Sequence, residues 1–236
     1  MEKDYYSMGT TADRTQAADQ RKFMIWVYRW MFLGLVMTSL VAWVVFSNKN
    51  WLAYITQSSG LFFGIIIAEL IVVFVLSFNI MKMSVTTAIS MFLFYSVLNG
   101  VVVSSVVAVY TAASVGYALF IAALMFGIMS VYGYFTKSDL TRMGNLLSMG
   151  LIGLLIAFVV NMIWFNSTVY WVISFLGVLI FVGLTAYDTQ RLKQIGEMSG
   201  SLDNNYMKIG VMGALTLYLD FINIFFLLLG MSGKRS

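Results

Sequence analysis

The sequence predicts an all-α integral membrane protein with seven transmembrane helices. Hydrophobic residues make up 61% of the 236 residues and charged residues 10%, against roughly 45–50% and about 25% in soluble globular proteins. Each of seven apolar segments approaches or exceeds the about 20 residues that a helix needs to cross the hydrocarbon core. Backbone groups in lipid must be satisfied within their own segment, so helices are expected. The segments are 23–46, 61–78, 85–109, 114–134, 146–165, 169–187 and 209–230.

The first 22 residues mix acids, bases and small polar residues. They predict a mobile cytoplasmic N-terminal tail over 1–22, followed by a seven-helix transmembrane domain over 23–236. A secretory signal peptide would place an apolar core of roughly 7–15 residues directly after a short basic start, and none is expected here.

The basic residues predict the orientation of the chain. With the N-terminus in the cytoplasm, eleven of the 14 Lys and Arg residues lie on the cytoplasmic side, and only Lys49, Lys234 and Arg235 lie outside. Such an excess of positive charge is typical of cytoplasmic loops. Seven helices then place the short C-terminus outside. Because topology accounts for the net charge of +4, no binding of nucleic acid is expected.

Several classes of chemistry are excluded by composition. The chain has no histidine and no cysteine, which excludes disulfides, thiol chemistry and metal sites built from those residues. The loops are too short for a soluble catalytic domain. The longest connection covers 188–208; its first part is expected to continue a helix, and "SGSLDNN" at 199–205 to form a turn.

Asp220 is an acid deep within the last apolar segment. It lies 12 residues beyond Lys208, or about 18 Å along a helix. Gly213, Thr216, Asp220 and Asn223 follow at spacings of three, four and three, which places them on one helical face. This stripe is predicted to face other helices, because acids within the bilayer usually face protein or water. An alternative role for Asp220 is an interhelical hydrogen-bond anchor.

Two further acids lie in or directly after the apolar segments. Glu69 is isolated within the second segment and needs a polar partner from elsewhere in the fold. Asp188 directly follows the sixth segment, where an interfacial acid paired with Arg191 three residues on is as compatible with the pattern as a functional acid. Arg29 and Lys82 lie near the inner boundary, where long basic side chains commonly reach the interface.

Two aspartates on consecutive helices suggest a pair that shares a proton, since like charges in contact cannot both ionise. Depth counting does not favour the pair. It places Asp188 near the inner interface and Asp220 roughly 10–15 Å deeper. Contact would therefore require a shifted or tilted last helix, or a cavity that reaches in from the cytoplasm.

Four stretches carry a resemblance to a known family: "FVGLTAYDTQRLKQIG" at 181–196, "ALTLYLDFINIF" at 214–225, "VYTAAS" at 109–114 and "MSVYGYFTKSDL" at 129–140. Together they resemble the Bax inhibitor-1 family, also called the transmembrane Bax inhibitor motif family, and most of all its bacterial inner-membrane members. The resemblance covers the chain after the tail. It implies a multi-pass inner-membrane protein whose seventh helix is central among the other six.

The resemblance also implies a function. Family members of this kind are pH-sensitive calcium leak channels, in which two aspartates, here Asp188 and Asp220, form a dyad whose protonation switches the pore between closed and open. Glu69 matches the acid of the family's second helix. In some members a basic residue latches onto the dyad; the candidates here are Arg29, Lys82 and Arg191.

A calcium path through these residues would bind its ion weakly. Calcium prefers several oxygen ligands. Asp188 and Asp220 are the expected metal-binding residues, and further oxygens along the ion path are expected from Glu69, Thr216 and Asn223. So few acids favour passage over tight binding. Calcium is thus expected as the transported ion, with no tightly bound cofactor, in a protein whose main partner is the lipid bilayer.

Two other functions remain open at this stage. One is a non-transporting interaction protein that modulates a membrane protease or a stress or cell-death pathway. The other is an intramembrane aspartyl protease, which is disfavoured because "LYLD" at 217–220 stands where those enzymes have GxGD, and a chain without proline cannot supply their Pro-Ala-Leu motif. The protein is therefore not expected to be an enzyme.

Overall fold

A computed structural model describes residues 2–198 and 203–234. Within those ranges the chain is helical apart from short connections, and a 3-10 turn at Ile80–Lys82 follows the third helix. The helices are α1 (Glu2–Ser47), α2 (Lys49–Gln57), α3 (Ser59–Asn79), α4 (Val85–Val107), α5 (Ala112–Phe135), α6 (Thr141–Ile163), α7 (Ser167–Met198) and α8 (Asn204–Ser232).

Seven of these helices are long and apolar enough to cross a membrane, which confirms the predicted number of spans. The exception is α2, a short helix that the apolar pattern did not predict. Its start is fixed by Asn48, whose side-chain oxygen accepts hydrogen bonds from the backbone N–H groups of Asn50 and Trp51 at 3.1 and 3.3 Å. An asparagine in this position satisfies N–H groups that a helix start otherwise leaves unpaired.

The first span belongs to a longer helix. Its membrane-crossing part begins at Ala17, within the predicted tail. Asp19 and Gln20 are buried, and the Gln20 side-chain amide donates to the Glu197 carboxylate at 2.9 Å. The last residues of the predicted tail thus pack against α7. The division into a mobile tail and a membrane domain stays a prediction.

The connection between α7 and α8 begins as predicted, because α7 continues past Asp188 to Met198. Residues 199–202 of the predicted turn lie outside the described residues. Asp203 caps α8 by accepting from the backbone N–H groups of Asn205 and Tyr206 at 3.0 and 2.9 Å. The end of the predicted turn is therefore the first turn of a helix.

The last helix, α8, is the most buried of the seven spans. In its most apolar stretch 67% of the residues are buried, against at most 44% in the others. It packs against α1, α4, α5 and α7. By contrast, only 11% of the corresponding stretch of α3 and 6% of that of α6 are buried. Residues of both helices line the cavity described below.

Hydrogen bonds join segments that are distant in the sequence at each end of the bundle. At one end Lys208 donates to the Met81 carbonyl at 3.1 Å, and the Trp26 indole donates to the Met207 carbonyl at 3.3 Å. We call this the α8-start end. At the opposite, C-terminal end, the backbone N–H of Thr111 donates to the carbonyl of Lys234 at 3.0 Å.

Candidate functional site

A cavity of about 670 Å³ lies among α3, α4, α6, α7 and α8. Three carboxylates line it, those of Glu69, Asp188 and Asp220, together with one base, Arg191. We call it the acid cavity. Its other polar lining residues are Tyr95, Asn145, Ser148, Tyr187, Thr216 and Asn223.

The side chains of Asp188 and Asp220 lie within hydrogen-bonding range of each other. Asp220 is buried, with 4% of its surface exposed, and no described donor bonds to its Oδ2. An ionised carboxylate only accepts hydrogen bonds, so two carboxyls in contact form a hydrogen bond only when they share a proton. The arrangement brings together the two acids that could carry such a proton.

The expectation from depth counting was wrong. It placed Asp188 near the inner interface and Asp220 roughly 10–15 Å deeper, whereas the two side chains lie within hydrogen-bonding range of each other. The contact belongs to a closely packed helix pair, because α7 and α8 pack along their lengths.

The predicted stripe on α8 faces other helices, as expected. Thr216, Asp220 and Asn223 line the acid cavity, whereas Gly213 lies so close to Leu192 of α7 that a Cβ there would overlap it. The Asn223 amide donates from Nδ2 to the Leu219 carbonyl at 2.8 Å. This bond orients the side chain and leaves its amide oxygen as a potential ligand.

Glu69 reaches the cavity from α3, and its polar partner comes from α4. The side chain of Asn99 lies within hydrogen-bonding reach of the Glu69 carboxylate. The other carboxylate oxygen of Glu69, Oε1, is buried without a hydrogen-bond partner among the described residues. Such an unpaired buried oxygen is costly unless water or an ion reaches it.

Asn99 also connects the cavity to a buried polar network. The Tyr218 hydroxyl donates to Asn99 Oδ1 at 3.0 Å and lies 2.6 Å from the hydroxyl of Thr38. Thr38 in turn donates to the Ser96 carbonyl at 2.9 Å. Residues of α1, α4 and α8 are thereby joined next to the cavity.

The three candidate bases lie in different places. Arg191 lines the acid cavity. Arg29 is exposed on α1, where its guanidinium lies 5.0 Å from the ring centre of Trp26 and 5.9 Å from that of Trp30. This is a cation–π arrangement. Lys82 is exposed in the 3-10 turn, and neither Lys82 nor Arg29 lines the cavity.

A glutamine holds the α5–α6 loop against the helix that carries Asp188. Gln190 donates to the Ser138 carbonyl at 2.7 Å and accepts from the Leu140 backbone N–H at 2.8 Å. In the same loop, hydrogen bonds from Thr141 hold the pKa of the exposed Asp139 carboxyl below its usual range. Asp139 is therefore an ionised acid outside the membrane-spanning part.

Among the residues in and next to the site that sequence reasoning missed are Tyr95, Asn99 and Tyr218. Each lies in an apolar segment, and none carries a charge, so attention to ionisable groups passed over them. The available signal was chemical, because a buried amide or phenol within a membrane helix needs a hydrogen-bond partner. Asn99 is such an amide, and it is a candidate hydrogen-bond partner for the Glu69 carboxylate.

Comparison with known proteins places this site in a family context. The family described as "Inhibitor of apoptosis-promoting Bax1" matches residues 20–236. The chain belongs to the Bax inhibitor family. This Bax inhibitor family protein is 44% identical to the inner membrane protein YbhL of Escherichia coli K12. The alignment spans 219 residues, which are 92% of this chain and 94% of YbhL.

Two further relatives match this Bax inhibitor family protein over nearly their whole lengths. An uncharacterized protein of Borreliella burgdorferi is 39% identical, over 95% of this chain and 97% of the relative. One of Deinococcus radiodurans is 37% identical over 100% of both chains. The similarity to YbhL and the seven apolar helices identify a multi-pass inner-membrane protein.

Proposed function

We propose that this Bax inhibitor family protein is a pH-sensitive calcium leak channel, gated by protonation of the pair Asp188 and Asp220. The observation that carries the proposal is that α7 and α8 bring these two carboxyls into contact at the wall of a cavity that also holds Glu69. The pair is the gate, and the cavity is part of the ion path.

The physical basis of gating is repulsion between like charges. With one proton shared, the pair carries a single negative charge and a hydrogen bond that joins α7 to α8. Loss of that proton leaves two negative charges in contact in a poorly polarisable environment, where repulsion is much stronger than in water. Either the helices separate or a cation enters between the carboxylates. Protons and calcium therefore compete for the same oxygens.

The donor set supports passage of calcium more than its retention. Calcium is held tightly by six to eight oxygens, often including several carboxylates. Among the described residues no three acids converge closely enough to hold a metal ion. Glu69, Thr216 and Asn223 instead line the wall around the pair. The proposed transported ion is therefore calcium, and the proposed activity is conduction without an enzymatic step.

The orientation follows from the positive charges, with the N-terminus and the α8-start end in the cytoplasm. The hydrogen bonds from Trp26 and Lys208 support it, because they bring together segments that carry the predicted cytoplasmic bases. We also infer that α8, the most buried span, is the axis of the bundle. We assign the role of latch to Arg191, because it lines the cavity and the other two candidate bases do not.

The test is calcium flux into liposomes that contain only the purified protein, measured over a series of pH values around neutrality. We expect Asp188→Asn and Asp220→Asn to change the flux and to flatten its pH dependence, because an amide cannot share the proton. Asp139→Asn removes an exposed acid outside the membrane and should leave both properties unchanged.

Unchanged flux at every pH in both dyad variants would remove the pair from the mechanism. A wild-type protein that passes no ions would instead favour a non-transporting role as a modulator of a membrane protease or of a stress or cell-death pathway.

A further inference from the structure

A second cavity, of about 360 Å³, lies toward the C-terminal end of the bundle, among α4, α6, α7 and α8. It shares part of its wall with the acid cavity. The residues common to both are Leu151, Leu155, Phe181 and Asn223. We call these four the shared layer. The two cavities therefore meet at the shared layer, and Asn223 is its single polar side chain.

The second cavity extends the line of the acid cavity along α8. Asn223 lies one turn beyond Asp220, about 4.5 Å along the axis, and Gly230 about 10 Å further. Gly230, Tyr110 and Tyr170 line the second cavity near the C-terminal end. The walls between Asn223 and these two tyrosines are otherwise apolar, with residues such as Leu154, Phe158 and Phe226.

We propose that the second cavity is the outer half of the ion path and that the shared layer is a second, apolar gate between it and the acid cavity. This inference rests on the proposed leak function and adds where the path leaves the acid cavity. A narrow apolar layer blocks ions when it dries, because a hydrated cation cannot shed its water there without replacement ligands. The amide oxygen of Asn223 supplies one such ligand between the dyad and the outer cavity.

The first test is hydration of the layer, and the cysteine-free sequence makes it direct. In liposomes, a single cysteine from Asn223→Cys should react with a charged, membrane-impermeant thiol reagent several-fold faster than one from Ile224→Cys. Ile224 is the matched control, because it is buried on the same helix and lines neither cavity. Equal, slow reaction of the two cysteines at a pH at which the wild-type protein conducts calcium would mean that no water-filled path reaches the layer, and it would overturn the proposal.

The second test is the gate itself. Leu151→Ser places a hydroxyl in the layer, which should keep it wet and raise the calcium leak several-fold. Ile152→Ser, at the next position of α6, is the control, because that side chain is 61% exposed and lines neither cavity. Equal leaks in the two variants would exclude the layer as a gate.

These outcomes separate the inference from the function on which it rests. If the wild-type protein conducts calcium but the Asn223→Cys variant does not react and Leu151→Ser has no effect, the leak stands and the path lies elsewhere. If the wild-type protein conducts no calcium, the leak fails, and the labelling result alone decides whether a water-filled passage reaches Asn223.

Discussion

At the scale of single residues, Tyr218 links the buried helix α8 to two of its neighbours. Its ring makes edge-on contacts with Phe92 and Tyr95, at 5.7 and 5.8 Å between ring centres. Its hydroxyl bonds to Asn99 and Thr38. The residue thus combines aromatic packing with a buried polar network, two residues before Asp220.

Removing that hydroxyl should destabilise the fold without disturbing the packing of the ring. Tyr218→Phe leaves the buried amide oxygen of Asn99 without its donor, which costs about 1–3 kcal/mol. Thermal or denaturant unfolding in detergent measures the loss. Tyr117→Phe is the control, since Tyr117 is 70% exposed. Equal stability of the two variants would mean that the network contributes nothing.

Glu69 should affect conduction differently from the dyad. It lines the acid cavity within hydrogen-bonding reach of Asn99, whereas Asp188 and Asp220 lie within hydrogen-bonding range of each other. Glu69→Gln removes one carboxylate from the path, so calcium flux in liposomes should fall while its response to pH persists. If Glu69→Gln abolished the pH response as Asp220→Asn is expected to do, proton sensing would have to be assigned to all three acids.

At the scale of helices, the contact between α5 and α7 depends on a glycine. A Cβ at Gly133 would overlap the carbonyl oxygen of Ala186, two residues before Asp188, whereas a Cβ at Gly127 of the same helix meets nothing within 4 Å. Backbone atoms cannot move aside as a flexible side chain can. A side chain at Gly133 must therefore separate the two helices close to the dyad.

This contact predicts opposite effects for two alanine substitutions on one helix. Gly133→Ala should lower the free energy of unfolding by about 1–3 kcal/mol, as overpacking does, and should also alter the pH dependence of calcium flux. Gly127→Ala should be neutral or stabilise by up to about 1 kcal/mol, because alanine favours helix. Unfolding in detergent and flux in liposomes measure the two effects. A harmless Gly133→Ala would show that α5 and α7 adjust freely.

The helices also show which features sequence reasoning could reach. Apolar length predicted seven spans, and spacing predicted the inward face of Thr216, Asp220 and Asn223, because both follow from local chain geometry. The contact between the two aspartates was not predictable by counting residues, since it depends on how α7 and α8 pack against each other. Short α2 was missed because its start depends on a cap by Asn48, a signal independent of hydrophobicity.

At the scale of the whole molecule, the two ends of the bundle are fastened differently. The α8-start end is joined by contacts among distant segments, including Gln20 with Glu197 and Gln190 with the α5–α6 loop. At the C-terminal end, the backbone around Lys234 bonds to the start of α5. Both sets of contacts involve α7 or the end of α8. Movement of these two helices would therefore change contacts on both sides of the membrane.

The orientation of the molecule decides which compartment the acid cavity senses. Lys137 and Lys49 lie on opposite predicted sides, both exposed in short connecting regions. In the cysteine-free chain, Lys49→Cys in cells with a permeable outer membrane should react with an impermeant maleimide. Lys137→Cys should react only after the inner membrane is disrupted. The reverse pattern would place the α8-start end outside, and the pair of aspartates would then respond to external rather than cytoplasmic pH.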